Sequence, residues 1–211
     1  MIFNMSRKYD FPPEYAFSNG ENLNCIEETK LLGIILSTSL RWDANTASIC
    51  SKAMSKMWLL RRMKLMKLEP ELIFQYYCSE VRPLVEQGVA VCNAGLTKAQ
   101  RNDIERIQKI ALRIILGDKY ISYDNACSIF GVENHSERRL RLCTNFAVKL
   151  YKSDRKTEFF DDPDNSVFTR QDKFLVRENL SRTKRCYNAP HNYLARLINQ
   201  NKTRIEKYSK I

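Results

Sequence analysis

The sequence predicts a mainly α-helical fold with a small β segment of two to three strands at the N-terminal end. Two observations predict it. After residue 42, apolar residues recur with the 3.6-residue period of helices in most segments, and Pro or Gly residues mark the segment ends. Before residue 42, short apolar runs alternate with turn residues, which is typical of strands. We therefore expect the strands to pack on a helical bundle, which a smaller helical extension follows.

Length and composition restrict the class of protein. The 211 residues suffice for one domain or slightly more, and 44% hydrophobic residues provide a buried core. No apolar stretch reaches the ~18–20 residues that a membrane span needs. The seven cysteines are odd in number and lie singly, which favours reduced thiols. These features predict an intracellular protein, nuclear or cytoplasmic, rather than a secreted or membrane protein.

The net charge of +11 is unevenly distributed along the chain. Residues 52–68 contain six basic and no acidic residues, residues 135–156 contain seven and two, and residues 170–211 contain eleven and three. Between the first two blocks, residues 69–97 contain four glutamates and one arginine. Basic helices that alternate with acidic connections indicate a positive surface for a polyanion such as nucleic acid. A surface that only keeps the protein soluble is the alternative interpretation.

The N-terminal segment has two strand signals. Tyr15–Phe17 lead into Asn19-Gly20, a dipeptide typical of hairpin turns. Leu31–Leu36 form a continuous apolar run that predicts a strand buried on both faces, in which Gly33 allows another backbone to approach closely.

The first helical half of the chain contains three predicted helices. Asp43 is a candidate N-cap for a helix over 44–66, whose predicted buried face consists of Ala47, Cys50, Met54, Met57 and Trp58. A second helix starts at Pro70 and is kinked or interrupted at Pro83. The clearest helix runs from Lys98 to Leu116, between the cap Thr97 and Gly117. Its predicted core stripe is Ile104, Ile107, Ala111, Ile114 and Ile115, and the opposite side carries Arg106, Lys109 and Arg113.

The second half is predicted to be helical with weaker signals. A short helix over 124–130 ends at Gly131, and a longer one over 136–151 buries Leu140, Cys143, Ala147 and Leu150. The start of the longer helix carries Arg138, Arg139 and Arg141, which oppose the helix dipole, so an anionic partner would stabilise them. A last helix starts at Pro190.

The motifs of common catalytic sites are missing. The sequence has no Walker loop, GxGxxG, HExxH or Cys-x-x-Cys, and its two histidines are far apart. We predict no catalytic residue, no cofactor-binding residue and no metal ligand. Phe159-Phe160-Asp161-Asp162 fits the aromatic-x-Asp-Asp pattern with which polymerases hold two metals. Charged and turn-forming residues flank it where apolar strands are needed, so we interpret it as a solvated acidic loop.

Five blocks follow one another along the chain. They are Lys30–Leu36 with Leu40-Arg41-Trp42, Val81–Glu86 with Gly88 and Asn93-x-Gly95-Leu96-Thr97, Ile104–Lys109 with Ala111–Ile115, Glu137–Arg139 with Leu142-Cys143 and Phe146-Ala147, and Arg185 with Tyr187–Pro190 and Tyr193–Asn199. In this order and spacing the set resembles the region after the catalytic palm in reverse transcriptases of non-LTR retrotransposons (jockey-like and related mobile elements). The block around Ile104 is the strongest single match. Two departures, at Gln87 and Cys92, replace a Tyr and a Trp that the family often has.

The resemblance implies an organisation into three parts. Residues 1–41 would be a β remnant of the end of the palm, residues 42–117 a helical thumb-like domain, and residues 118–211 a basic helical C-terminal extension with a linker near 153–168. The fingers, the palm and its Asp-Asp turn would lie upstream of Met1 and are possible partners. The chain alone is therefore expected to be inactive, although it resembles part of an RNA-directed DNA polymerase, a family that uses Mg²⁺.

The resemblance also implies a function and site residues. The expected function is binding of a template–primer duplex, with RNA and DNA strands, during target-primed reverse transcription. Leu31, Leu32 and Gly33 would belong to the primer-grip strand, for which an ordinary core strand is the alternative. The expected phosphate contacts are Lys52, Lys56, Arg61, Arg62, Arg106, Lys109, Arg113, Arg138, Arg139 and Arg141. Two alternative functions stay open for the whole chain. It could be a helical protein-interaction module without a nucleic-acid role, or a transposon relic without function.

Overall fold

The computed structural model confirms a mainly α fold with a small β segment at the N-terminal end. It describes residues 15–16, 22–23, 26–162, 174–203 and 205. The helices are α1 (Asp43–Leu65), α2 (Pro70–Tyr76), α3 (Arg82–Glu86), α4 (Val89–Cys92), α5 (Lys98–Leu116), α6 (Tyr123–Ile129), α7 (His135–Tyr151), α8 (Lys156–Phe159), α9 (Lys184–Tyr187) and α10 (Pro190–Gln200). None of the helices in these ranges is long and apolar enough to cross a membrane.

The strands form two antiparallel pairs. They are β1 (Tyr15–Ala16), β2 (Asn22–Leu23), β3 (Glu28–Leu31) and β4 (Ile34–Ser37). Tyr15 pairs with Leu23, in agreement with the predicted hairpin, whose Asn19-Gly20 turn lies outside the described residues. The pair β3–β4 packs through β4 against α1.

The apolar run Leu31–Leu36 is a hairpin, and the prediction of one strand buried on both faces is wrong. Leu31 pairs with Ile34, so that Leu32 and Gly33 form a two-residue turn. Both turn residues have positive φ, +48° and +85°, as a type I′ turn requires. The side chain of Leu32 is exposed at the tip of the hairpin. A residue in a two-residue turn lies beyond the paired strands, so no neighbouring strand covers it.

Helix α1 buries a different stripe from the predicted one. Its buried apolar residues are Ile49, Ala53, Met57 and Leu60. Of the predicted stripe only Met57 is buried, and Trp58 is 62% exposed. Asp43 is the first helical residue instead of the N-cap, and its carboxylate accepts a hydrogen bond from Gln100 Nε2 (2.7 Å).

The segment around Pro83 remains helical but changes its type. A π-helical turn, Tyr77–Val81, separates α2 from α3, and Pro83 stands in the first turn of α3. Proline has no backbone N–H to donate to the preceding turn. In a π turn the hydrogen-bond pattern shifts by one residue, so the helix does not need an N–H from Pro83 at this place. Gly88, with φ of +67°, then ends this segment and starts α4.

Helix α5 agrees with its prediction at both ends. Thr97 and Gln100 form a capping box, in which each side chain bonds the other residue's backbone N–H. The buried stripe includes Ile104, Ile107 and Ala111, and Ile115 in the last turn. Ile114, also predicted there, is only partly buried.

Three groups of buried side chains hold the helices together. The first joins α1, α2, α3 and α5. The second joins α7 and α10 with Phe160 and Val176, and the third joins α5 and α6. Cys143 and Ala147 of α7 are buried as predicted, whereas Leu140 is 49% exposed and the polar residues His135 and Arg139 take its place inside.

The β3–β4 hairpin should depend on Gly88. A Cβ added at Gly88 would lie 2.5 Å from Cδ1 of Ile34 in β4, whereas one added at Gly131 would meet nothing within 4 Å. Both glycines have positive φ, so alanine costs each about 1–2 kcal/mol. Because the Ile34 side chain must leave its rotamer to make room, Gly88→Ala should lose about 0.5–1.5 kcal/mol more than Gly131→Ala. Urea unfolding of Gly88→Ala and Gly131→Ala measures this difference, and equal losses would contradict a packed hairpin.

Candidate nucleic-acid interface

Helices α1 and α5 lie side by side and run in the same direction. Gln100 contacts Asp43 at their first turns, and Lys64 Nζ donates to the carbonyl of Ile115 (2.6 Å) at their last turns. Between them is a groove with a cavity of about 330 Å³, which Cys50 and Met54 line from α1 and Asp103 and Arg106 from α5. The groove is therefore acidic at its N-terminal end.

Five cations lie beside the C-terminal half of this groove, and we call them the basic face. They are Arg61, Arg62, Arg106, Lys109 and Arg113. Arg106 lines the groove, and Lys109 and Arg113 follow it one and two turns later on α5. Arg61 follows the groove residue Met54 by seven residues, which returns it to the same side of α1. Arg61, Arg106 and Arg113 therefore lie on the groove side of the two helices. Arg62 and Lys109 flank this side, because at 100° per residue they are turned about 80° from Met54 and about 60° from Arg106.

The side chains of the basic face are exposed and have no acidic partner among the described residues. Aromatic rings hold three of them. Arg62 lies over the ring of Trp58 (5.9 Å), Lys109 over Tyr123 (5.0 Å) and Arg113 over Tyr120 (5.2 Å). An exposed cation–π contact contributes about 0.5–1 kcal/mol and uses no N–H donor. The donors therefore remain available to an external acceptor.

The helix ends also favour cations at this place. Arg62 and Lys64 are in the last turn of α1, and Arg113 is in the last turn of α5. Because both helices end on the same side, their negative dipole ends reinforce one another there. This effect contributes about 0.3–1 kcal/mol per charge and explains part of the placement without a ligand.

Lys52 and Lys56, two of the predicted phosphate contacts, are separated from the basic face. Lys52 precedes Arg61 by nine residues, about 180° around the helix at 100° per residue. Lys56 Nζ forms an ion pair with Glu80 (2.9 Å), and the hydrogen bond to Glu80 raises the pKa of Lys56. Neither lysine therefore converges with the groove.

The three arginines of α7, which are expected phosphate contacts, are paired with carboxylates or buried in the fold. Arg138 forms two hydrogen bonds with the carboxylate of Glu86, and Arg141 contacts Glu133 at 3.0 Å. Arg139 is 3% exposed and so does not reach a ligand on the surface. Glu86 and Glu133 of the protein itself therefore provide the anions that Arg138 and Arg141 require at the start of α7.

The three residues expected at a primer grip are at the tip of the β3–β4 hairpin. Leu31 and Leu32 are exposed, and the carbonyl of Leu32 accepts a hydrogen bond from Gln87 Nε2 (3.2 Å). A Cβ at Gly33 would overlap the Gln87 amide, so the glycine does allow close approach, but of a side chain. The tip belongs to a different segment of the chain from α1 and α5, which carry the basic face. Its hydrogen bond to Gln87 attaches it to the residues between α3 and α4.

The Asp161-Asp162 pair follows a helix instead of a strand. α8 ends at Phe159, Phe160 is buried, and both aspartates are exposed. Lys156 Nζ lies 3.3 Å from Asp162. Within the described ranges, no group of three or more His, Cys, Asp or Glu side chains could hold a metal ion. The exposure of both aspartates is consistent with a solvated acidic loop.

A buried polar network joins α5, α7 and the π turn, and the sequence did not indicate it. Tyr77 Oη donates to Gln108 Oε1 (3.1 Å) and lies 3.1 Å from His135 Nε2, which is therefore the donor to Tyr77. Gln108 Nε2 donates to the carbonyl of Glu133 (2.9 Å). The carboxylate of Glu105 accepts from the backbone N–H of His135 and Ser136. This network fixes α7 on α5.

Trp58 is the surface residue that sequence reasoning missed. Its spacing predicts a core residue, but Trp58 is exposed, and Arg62 lies over its ring. Its spacing from Met54 and Cys50 fits an apolar stripe, and only the position of α5 shows that this stripe borders a groove.

Fold and site together define a mainly α protein with a basic face on two parallel helices. Comparison with known protein families, curated proteins and solved structures finds no match for this chain.

Proposed function

We propose that this chain binds a nucleic-acid duplex through the basic face, as a non-catalytic fragment similar to the thumb and C-terminal region of a non-LTR retrotransposon reverse transcriptase. The observation that carries the proposal is the convergence of five exposed cations, without acidic partners among the described residues, on two parallel helices. The duplex is expected to contain RNA and DNA strands. The fingers and palm domains of such a polymerase are proposed as a further partner.

The dimensions of the basic face support a duplex as the ligand. Arg106 and Arg113 are seven residues apart, about 10 Å along α5. A duplex presents one phosphate charge per ~1.7 Å of its axis, so several phosphates lie within that length. Arginine and lysine contacts to phosphates position a duplex without reading its sequence. The proposed binding is therefore strong at low salt and independent of sequence.

Catalysis is not part of the proposal. Two-metal phosphoryl transfer needs carboxylates fixed on both sides of a metal pair. Asp161 and Asp162 are exposed, and Asp162 contacts Lys156. We propose that the metal-binding aspartates, and with them Mg²⁺, belong to the parent polymerase.

One observation favours the second candidate function, a protein-interaction module. Trp58, Leu65 and Met66 are exposed on and after the C-terminal half of α1, with 62%, 74% and 70% of their surface accessible. A protein partner with an apolar surface and acidic rim would fit them. In that case the five cations would contact acidic side chains of the partner protein instead of phosphates.

Salt dependence of duplex binding separates the two candidates. Five phosphate contacts, at a slope of about 0.9 each, predict that duplex affinity falls about 500-fold between 50 and 200 mM salt. The measurement is a fluorescence-anisotropy titration of a labelled RNA–DNA hybrid and of duplex DNA with the full chain. No binding at 50 mM salt, or an affinity that is equal at both salt concentrations, would contradict the proposal and favour the interaction module.

A further inference from the structure

A second cavity, of about 270 Å³, lies among α5, α7, α10 and the turn after α4. Polar side chains line most of it, with Arg101 and Glu105 from α5, Ser136 and Arg139 from α7, Asn93 and Tyr193. Its size is at the lower limit of small-molecule sites, so it fits a small ligand.

Arg139 is the unusual residue of this cavity. It is 3% exposed, and it has no hydrogen bond or ion pair with any residue that the structure describes. Its Nε is completely buried without an acceptor. Arginine stays charged in proteins and carries five N–H donors. Burial lowers the pKa of Arg139, and a buried charge without a partner is rare because its desolvation is not compensated.

Two of the acceptors that line the cavity already accept hydrogen bonds from other groups. The carboxylate of Glu105 accepts from the N–H groups of His135 and Ser136 and from the hydroxyl of Tyr123. The N-terminus of α7 is therefore occupied by the protein's own anion and offers no site of its own. The carbonyl of Asn93 accepts from Arg101 Nη2 (3.3 Å).

At the buried end of the cavity, the N–H donors of the arginines outnumber the acceptors of the carboxylates. Arg101 and Arg139 face Glu105 and Glu137, which balance them formally. Glu137 is exposed at the rim, however, and the charge of Glu105 is shared among three donors. Arg139 alone has all its N–H groups without an acceptor.

We propose that this cavity binds a small oxyanion, for which inorganic phosphate is the probe, with Arg139 as its buried donor and Arg101 at the mouth. The oxygens of such an ion would accept the N–H groups at the end of the Arg139 guanidinium, whereas its completely buried Nε would stay without an acceptor. A duplex on the surface does not reach a side chain that is 97% buried, so the ligand is a free ion. Arg101 and Arg106 are five residues apart, about 140° around α5, and this site is therefore distinct from the basic face.

Thermal unfolding in phosphate tests the proposal without nucleic acid. At constant ionic strength set with chloride, we expect the Tm of the full chain to rise by several degrees when phosphate reaches about 100 times its Kd, because a ligand of the folded state stabilises it. Arg139→Met should abolish this rise. In chloride alone the variant should melt at the same temperature as the wild type or higher, since it removes an unpaired buried charge.

Matched controls make each outcome decisive. Arg141→Met, on the exposed side of α7, should keep the full phosphate response. A larger rise with acetate than with phosphate would identify a carboxylate as the preferred oxyanion, and equal rises would mean that the site does not distinguish the two. No rise above chloride with either anion, or an unchanged rise in Arg139→Met, would overturn the site, and so would an equal loss in Arg141→Met.

A direct binding measurement covers a variant that does not fold. Equilibrium dialysis with labelled phosphate should show one site per chain in the wild type and at least tenfold weaker binding in Arg101→Gln and Arg139→Lys. Stoichiometric binding that both variants retain would also overturn the proposal. Because no duplex is present, failure here leaves the proposed duplex binding unaffected, and the reverse also holds.

Discussion

Replacing Arg106, Lys109 and Arg113 with glutamine should abolish most of the salt dependence of duplex binding. Three of five phosphate contacts are then lost, and the salt slope falls from about 4.5 to about 1.8. Between 50 and 200 mM salt, the loss of affinity should shrink from about 500-fold to about 12-fold, and affinity at 50 mM should already be lower by orders of magnitude. Anisotropy titrations with the same RNA–DNA hybrid provide the measurement.

The control for this variant changes the same net charge at other places. Arg141, Lys149 and Arg155 are exposed cations outside the basic face. Their triple change to glutamine should leave the slope near that of the wild type, because net charge alone acts weakly over distances above the ~8–10 Å screening length. Equal losses in both triple variants would mean that the duplex responds to total charge, and the basic face would then not be a site.

Lowering the pH from 7 to 5 should destabilise the protein by about 2 kcal/mol through His135 alone. Burial is the main cause that lowers the pKa of His135 to about 3, and Arg139, Arg138 and Arg82 add to it. The unfolded chain binds a proton near pH 6.5 that the folded protein does not bind. Stability is therefore complete above pH 6.5 and falls by up to ~1.4 kcal/mol per pH unit until about pH 3. Urea unfolding at pH 7 and pH 5 measures it.

The second histidine of the chain provides the control for this prediction. His191 is exposed in the first turn of α10, and His191→Gln should leave the loss of about 2 kcal/mol unchanged. His135→Gln should remove it. If His135→Gln does not fold, the imidazole signals of wild-type His135 should stay constant between pH 7 and 5 in an NMR titration. A shift of those signals, or equal stability of the wild type at both pH values, would contradict a neutral buried histidine.

Where local signals were strong, the sequence predicted the structure to within one residue. Thr97 and Gly117 define both ends of α5, and Pro190 starts α10. These signals act within one helical turn, through capping hydrogen bonds or restricted φ, and they do not depend on what the helix packs against. The cations Arg106, Lys109 and Arg113 were also placed correctly on the solvent side, because α5 has a single apolar stripe and they lie away from it.

The orientation of α1 required the tertiary structure. Its sequence contains two apolar stripes, one through Ile49 and Ala53 and one through Met54 and Trp58, and Met57 belongs to both. Periodicity shows that each stripe exists, but it does not say which one meets a partner. Packing against α2, α3 and α5 buries the first stripe and leaves Trp58 at the surface.

The α7 arginines show the same limit for charged residues. Arg138, Arg139 and Arg141 are equivalent in a sequence that only shows three cations near a helix start. In the fold, Glu86 and Glu133 neutralise two of them, although Glu86 is 52 residues away from Arg138 in sequence. The third is buried beside a cavity. The pairing of a charge depends on residues brought close by folding, which local patterns do not contain.

By itself, the sequence determined the helical class, the boundaries of α5, the start of α10 and the solvent-facing cations of α5, because backbone geometry and capping act over a few residues. Only the tertiary structure decided which side of α1 is buried, which cations lack an acidic partner and where Arg139 points. Those properties are set by contacts between residues that are distant in sequence, and each follows from how α1, α5 and α7 pack.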